Sequence, residues 1–322
     1  MSETIHFCWI GQHLEWVHGF AMISAAQNGG LARVVLHHTD DLADSPVVRA
    51  LQTSGVLLSR VKPQDLLTEV GTQIGLDDQL NVLYEKISSP VIRSDILRAA
   101  ILYRDGGIYL DVDTITVAPL RPLMHSQQFI GLEYIVWPHW VKTSHSPFPW
   151  SRALALDVIR KALRVIPNGW MSFRIFEDFY FKAVNNAIIG GMPKAPFFKT
   201  YLKNMLDVPN ALQIQTYALG PDLLQTIIRQ QKFDDLKVYE PSVFYPLPPE
   251  ISQHWFRPCK NASILLGRAL RPQTLVAHWY ASVRSKNYVK QITPDFVIKH
   301  CDTQLYSAMV YKYLSNIHNY CK

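Results

Sequence analysis

The chain has 322 residues, 48% hydrophobic and 18% charged, with a mean hydropathy of +0.00. That is apolar material for one large or two ordinary domains, and it excludes the apolar-poor, charge-rich composition of a disordered chain. The net charge of +6 is too modest and too scattered along the sequence for a nucleic-acid-binding face, but it suits an anionic substrate or an acidic membrane surface.

No run approaches the roughly 20 apolar residues that cross a bilayer. The polar start Met1-Ser2-Glu3-Thr4 does not read as a signal peptide. Cys8, Cys259, Cys301 and Cys321 lie far apart without metal-type spacing, which reads as free thiols in a reducing compartment.

In chain order, Ile5-His6-Phe7-Cys8-Trp9-Ile10 reads as a buried strand ending at Gly11. Residues 14–28 read as a helix stopped by Gly29-Gly30. Arg33 to His37 and Val56-Leu57-Leu58 with Val61 read as two more strands with a short helix between them. Strands alternating with helices argue an α/β domain with a largely parallel sheet, whose ligands gather at the carboxyl ends of the strands. The stretch from Ser89 to Asp105 is the clearest helix, with Pro90 in its first turn and Gly106-Gly107 at its end. Ile108-Tyr109-Leu110 then forms a short strand running into Asp111-Val112-Asp113. Residues 137–150, rich in Pro, His, Ser and Trp, read as a long loop. Ala187-Ile188-Ile189 is a strand, followed by helices reaching about Leu206 and from Pro221 to Gln230. Leu275-Val276-Ala277 is the last strand, and one helix from Pro294 to about Ile317 closes a single-domain chain over 1–322.

The chemistry concentrates in Ser94-Asp95-Ile96-Leu97-Arg98 and, after the helix and glycine pair, in Asp111-Val112-Asp113. Two carboxylates two residues apart at a strand end can aim at one point if the strand breaks there. Hard divalent cations take such oxygen ligands and keep other positions for substrate phosphates. A metal bridging a diphosphate stabilises the charge that develops as it leaves. The glycines permit close backbone packing but do not form a phosphate-cradling loop, since neither G-x-G-x-x-G nor G-K-[ST] follows.

This run resembles the signature of sugar-nucleotide glycosyltransferases with a DXD-containing sugar-binding region, family 32 and its relatives. The pattern is shared with the clostridial glucosylating toxins and the α-1,4-galactosyltransferases. Four more stretches resemble the family in order: Ile5 to Gly11, Asn185-Asn186-Ala187-Ile188-Ile189-Gly190, Leu219-Gly220-Pro221-Asp222, and the closing Val243 to Leu247 with Ala277-His278-Trp279 and Ser282. Leu219 stands where Thr is more usual.

The resemblance implies a GT-A type fold, a Rossmann-like, mainly parallel sheet flanked by helices. It implies a retaining transfer from a nucleotide-sugar, a UDP-sugar, assisted by Mn²⁺ or Mg²⁺. Carried over by residue, Trp9 would stack on the base with Ile10 beside it, and Tyr109 and Ser282 would also contact the nucleotide. Asp95, Arg98 and Asp111 would hold the sugar, with Arg98 also able to meet the diphosphate. Asn186, or its neighbour Asn185, would sit near the anomeric centre. Asp113 and His278 would hold the metal.

The implied acceptor is a glycan or glycolipid of capsule or lipopolysaccharide type, handled in the cytoplasm with peripheral contact at the inner face of the membrane. A protein acceptor is the alternative, and a sugar-nucleotide hydrolase or a non-catalytic binding module are alternatives of another class. The paired His37-His38 reads as exposed, and Trp137, His139, Trp140 and Trp150 as either an acceptor wall or a packed lid.

Overall fold

The computed structural model describes residues 1–281 and 286–321. Its strands are β1 (Thr4–Trp9), β2 (Arg33–His38), β3 (Val56–Arg60), β4 (Gly107–Leu110), β5 (Thr114–Thr116), β6 (Gln128–Ile135), β7 (Phe181–Gly191), β8 (Leu236–Tyr239) and β9 (Val276–His278). Seven of them form one sheet in the order β3-β2-β1-β4-β7-β6-β8, while β5 and β9 pair separately and antiparallel. All neighbours in the large sheet run parallel except those of β7, which opposes both β4 and β6. A parallel β3-β2-β1-β4 half joined through one reversed strand is the expected GT-A arrangement. The order changes direction between β1 and β4, and ligands bind at such switch points.

Alternation along the strands divides the apolar residues between two cores. Ile5, Phe7, Ile108 and Leu110 face the core that holds the helix Trp16–Asn28. Cys8 and Tyr109 face the one that holds the helices Pro63–Ile74, Pro90–Asp105 and Pro196–Asp207. In the helix Pro90–Asp105, Ile96, Leu97, Ile101 and Leu102 are essentially fully buried. Each contributes about 1.5–3 kcal/mol by leaving water, which anchors the helix that carries Asp95 and Arg98.

That helix stops because Gly106 and Gly107 take φ values of +65° and +95°. A Cβ on Gly107 would lie 2.5 Å from the Thr4 carbonyl oxygen. Only glycine lets β4 turn in this closely beside β1.

Three expectations change. Residues 137–150 are no open loop: a short helix His139–Lys142 and the start of the long helix Pro147–Val165 occupy them. Pro147 and Pro149 fall in that helix's first turn, where a missing N–H costs no helical hydrogen bond. The closing helix is two, Pro294–His300 and Leu305–Tyr313. The carbonyls of Asp302 and Thr303 between them accept from the N–H groups of Ala262 and Cys259, at 3.0 and 2.9 Å. His37 is buried and stacked on His6 at 5.2 Å, and burial lowers the pKa of His6 to about 4 and of His37 to about 3.

Among the described residues, no helix is long and apolar enough to cross a membrane.

Candidate active site

Asp95 and Arg98 lie one turn apart on the helix Pro90–Asp105, so they project together toward β4 and β7. They are not a solvated pair, because each is 4% exposed. The guanidinium lies 3.3 Å from Asp95 Oδ1 and 3.1 Å from Asp111 Oδ1, and it donates to the Asn186 carbonyl at 2.7 Å. It also sits 4.6 Å above the Tyr109 ring. Asn186 Nδ2 donates to Asp95 Oδ1 at 2.8 Å. Burial raises the Asp95 pKa, against the opposing pull of Arg98 and Asn186. One cation thus compensates two carboxylates, and the arrangement holds only while all three are present.

Asn186 reaches this cluster through an irregularity in β7. The β6–β7 register jumps from Ile130↔Ile189 to Gly131↔Asn185. Residues 186–188 therefore bulge out of that ladder and face β4, where Leu110 pairs with Ile188 and the Asp111 N–H donates to the Ala187 carbonyl at 2.8 Å. Asn185 turns elsewhere, its Oδ1 accepting from the Ala187 N–H at 2.8 Å. Of the two asparagines, Asn186 is the one joined to Asp95.

After Leu110 the strand breaks. Thr114 Oγ1 donates to the Asp111 carbonyl at 2.8 Å, and the chain turns into β5, whose Thr114 pairs with His278 of β9. The imidazole arrives from far along the sequence beside Asp113, with Nε2 2.9 Å from Asp113 Oδ1. Asp113 Oδ2 accepts from the Ala281 N–H at 2.7 Å. Burial opposes the Asp113 charge, but His278 and the Ala281 N–H outweigh it and hold the pKa at about 2. Burial would lower the His278 pKa, yet Asp113 raises it overall. Asp111 is pushed up to about 6 by burial, with Arg98 opposing and Asp113 adding to the rise.

One ligand atom each from Asp111, Asp113 and His278 lies within 4.8 Å of the others. Two carboxylates and an imidazole suit Mn²⁺ or Mg²⁺. The 2.9 Å between the Asp113 and His278 donor atoms is about the edge of an octahedron with bonds near 2.1 Å. The residues present fit a hard divalent cation.

The other expected residues fall around this centre. Trp9 ends β1, half-buried, its ring 5.0 Å from that of His18, and Ile10 follows it. Tyr109 is buried beneath the site, and its hydroxyl donates to Asp111 Oδ1 at 3.0 Å. Ser282 lies outside the described residues. Gly220, at the start of the helix Pro221–Gln230, approaches so closely that a Cβ would lie 2.9 Å from Asp95 Oδ2 and 3.0 Å from Asn186 Nδ2. Trp137 and Trp150 pack edge to face at 5.0 Å, and Trp140 packs on Phe181 at 5.1 Å.

Sequence reasoning missed Glu133. It is buried in β6 and accepts from the Tyr280 hydroxyl at 2.8 Å, and the Tyr280 ring lies 4.0 Å from that of His278. Burial lifts its pKa to about 7 against the hydrogen bonds from Tyr280 and Asn185. The one signal available was a carboxylate inside the apolar run Phe129-Ile130-Gly131-Leu132-Glu133-Tyr134-Ile135.

Residues 52–130 match the family described as "Glycosyltransferase sugar-binding region containing DXD motif". That span contains Asp95, Arg98, Asp111 and Asp113. The likeness to a sugar-binding region thus falls on the residues that build the site, and it supports a transferase enzyme.

No protein with a curated description matches the chain in sequence. Solved structures of similar shape include mouse xyloside xylosyltransferase 1, at 12% identity over 86% of this chain and 97% of that one, with a TM-score of 0.48. The UDP-bound glycosyltransferase domain of the YGT toxin is 10% identical over 74% and 79%, TM-score 0.40. The galactosyltransferase LgtC with donor and acceptor sugar analogues is 11% identical over 85% and 86%, TM-score 0.38. Likeness of this degree says nothing about donor or acceptor.

Proposed function

We propose that the chain moves a sugar from a UDP-sugar to a hydroxyl of a saccharide or glycolipid, with retention at the anomeric carbon. The observation that carries this reading is the convergence of Asp111, Asp113 and His278 beside the buried Asp95–Arg98–Asn186 cluster. A Mn²⁺ or Mg²⁺ ion held by Asp113 and His278, with Asp111 beside them, would neutralise charge developing on the departing diphosphate.

The chain's own groups do the orienting. Asp95 and Asp111 are acceptors for sugar hydroxyls, and Arg98 fixes both carboxylates while presenting a cation to the donor. Asn186 holds Asp95 in place. Trp9 stands at the end of β1, on the switch-point edge, where an aromatic ring can stack on the base. No side chain is named as a covalent nucleophile. In the step favoured here the acceptor oxygen bonds to the anomeric carbon as the bond to the phosphate oxygen breaks, and the acceptor proton passes to that phosphate oxygen on the same face.

The test is incubation with a panel of UDP- and GDP-sugars and acceptor saccharides, reading the product anomer by NMR. An α-linked product from an α-linked donor supports the reading. A β-linked product removes retention, and donor turnover that ignores every acceptor favours a hydrolase.

A further inference from the structure

A surface built from residues outside the Asp111–Asp113–His278 cluster combines two features, exposed apolar area and an excess of cations. Of the twenty large apolar side chains exposed among the described residues, ten fall between residues 148 and 179. Six of them, Phe148, Leu154, Val158, Val165, Ile175 and Phe179, are each more than half exposed. On the helix Pro147–Val165, Ala153, Leu156 and Leu163 are the buried side. Leu154, Val158 and Val165 form a second, outward stripe at helical spacing, with Lys161 in the same line. Contiguous exposed apolar area of this kind marks an interaction surface.

The charge is as unevenly distributed as the apolar area. Between residues 139 and 182 there are seven Lys and Arg against three Asp and Glu, so this short stretch holds +4 of the chain's +6. The carboxylates here and next to it are largely engaged. Asp157 pairs with Arg160 and Lys161, Glu250 with Arg160 and Arg164, and Glu177 with Arg271. The Lys161 side chain remains 67% exposed. Counting the partners outside the stretch (Glu240, Glu250 and Arg271) still leaves +3, so the charge is concentrated in the segment that carries the apolar stripe.

We propose that this face docks on an anionic lipid bilayer, the apolar side chains entering the headgroup boundary and the cations meeting lipid phosphates. Its place in the fold gives the contact a purpose. The two helices Pro147–Val165 and Gly169–Phe176 connect the carboxyl end of β6 to the start of β7. Because β7 runs antiparallel to β4, that connection leaves the sheet from the edge where Asp111 follows Leu110. A bilayer met there lies on the side of the molecule from which a lipid-linked hydroxyl would approach. The docking itself does not depend on the catalytic reading, since it rests on a separate set of residues.

The experiment is co-sedimentation of the full chain with vesicles of 7:3 phosphatidylcholine:phosphatidylglycerol and of phosphatidylcholine alone, with light scattering of the free protein. The parent is expected to partition onto the anionic vesicles. The double variant Leu154→Asp/Val158→Asp should lose tenfold or more of that partitioning with an unchanged circular-dichroism melt. Lys161→Glu should lose about fivefold on anionic vesicles only. A parent that stays in the supernatant with both vesicles overturns the proposal, as does a double variant that binds like the parent. A dimer that the double variant dissolves would assign the face to a second copy of the chain and equally overturn it.

Discussion

Replacing Arg98 by leucine separates a buried compensated cluster from an ordinary helix contact. The guanidinium is within 3.3 Å of Asp95 and 3.1 Å of Asp111, and it donates to the Asn186 carbonyl at 2.7 Å. Leucine fills much of the space over Tyr109 but leaves the carboxylates without their cation. Breaking a buried pair by removing one partner costs about 3–5 kcal/mol, a large share of the roughly 5–15 kcal/mol that a domain has. The pH dependence carries the sharper signature. Arg98 lowers the pKa of both Asp95 and Asp111, so its removal lifts both further above their unfolded values. A carboxyl raised in the folded state favours folding at low pH and loses that contribution as pH rises. The gap between variant and parent should therefore be widest near pH 8 and narrow as pH falls toward 5. Urea denaturation followed by tryptophan fluorescence at both pH values reads this directly. A variant as stable as the parent, or a gap that does not change with pH, would refute the account of Arg98 as the counter-ion of both Asp95 and Asp111.

Two further outcomes test neighbouring parts of the site. Gly220→Ala places a Cβ 2.9 Å from Asp95 Oδ2, so it should cost about 1–3 kcal/mol and lower donor turnover tenfold or more; parent-like turnover would show that this approach does not matter. Glu133, lifted to about 7 from 4.5, makes the parent lose about 3 kcal/mol of stability as pH rises through that interval. Glu133→Gln should flatten that slope in urea midpoints measured from pH 5 to 8, and parallel curves for the two proteins would contradict the assignment.

What could be read in the sequence was what is written locally. From Ser89 to Asp113 the N-terminal proline, the apolar spacing, the glycine pair and the two aspartates follow one another along the chain. The helix, the turn, β4 and the carboxylates came out together in the structure. The reversed strand β7 was seen only at its centre, because its first half, Phe181-Lys182-Ala183-Val184, shows no run long enough to separate from its surroundings. β6 escaped for a related reason, since Gly131 and Glu133 interrupt its apolar sequence. The prolines at 147 and 149 read as loop, although in a first turn they start a helix. Contacts that depend on distant pairing left no local trace. The β5–β9 ladder delivers His278 to Asp113, and Tyr280, whose ring lies beside His278, bonds to Glu133, 147 positions from it in the sequence.

The central claim is that Asp113, with His278, holds a divalent cation on which sugar transfer depends. It is tested most directly by nucleotide release from a panel of UDP-sugars, with and without Mn²⁺, for the parent and Asp113→Ala. The account predicts that one donor turns over in the parent only when metal is present, and that the variant loses this turnover by 10²-fold or more while keeping the parent's far-ultraviolet circular dichroism. Turnover that persists without metal, or that survives in Asp113→Ala at the parent's rate, would contradict it.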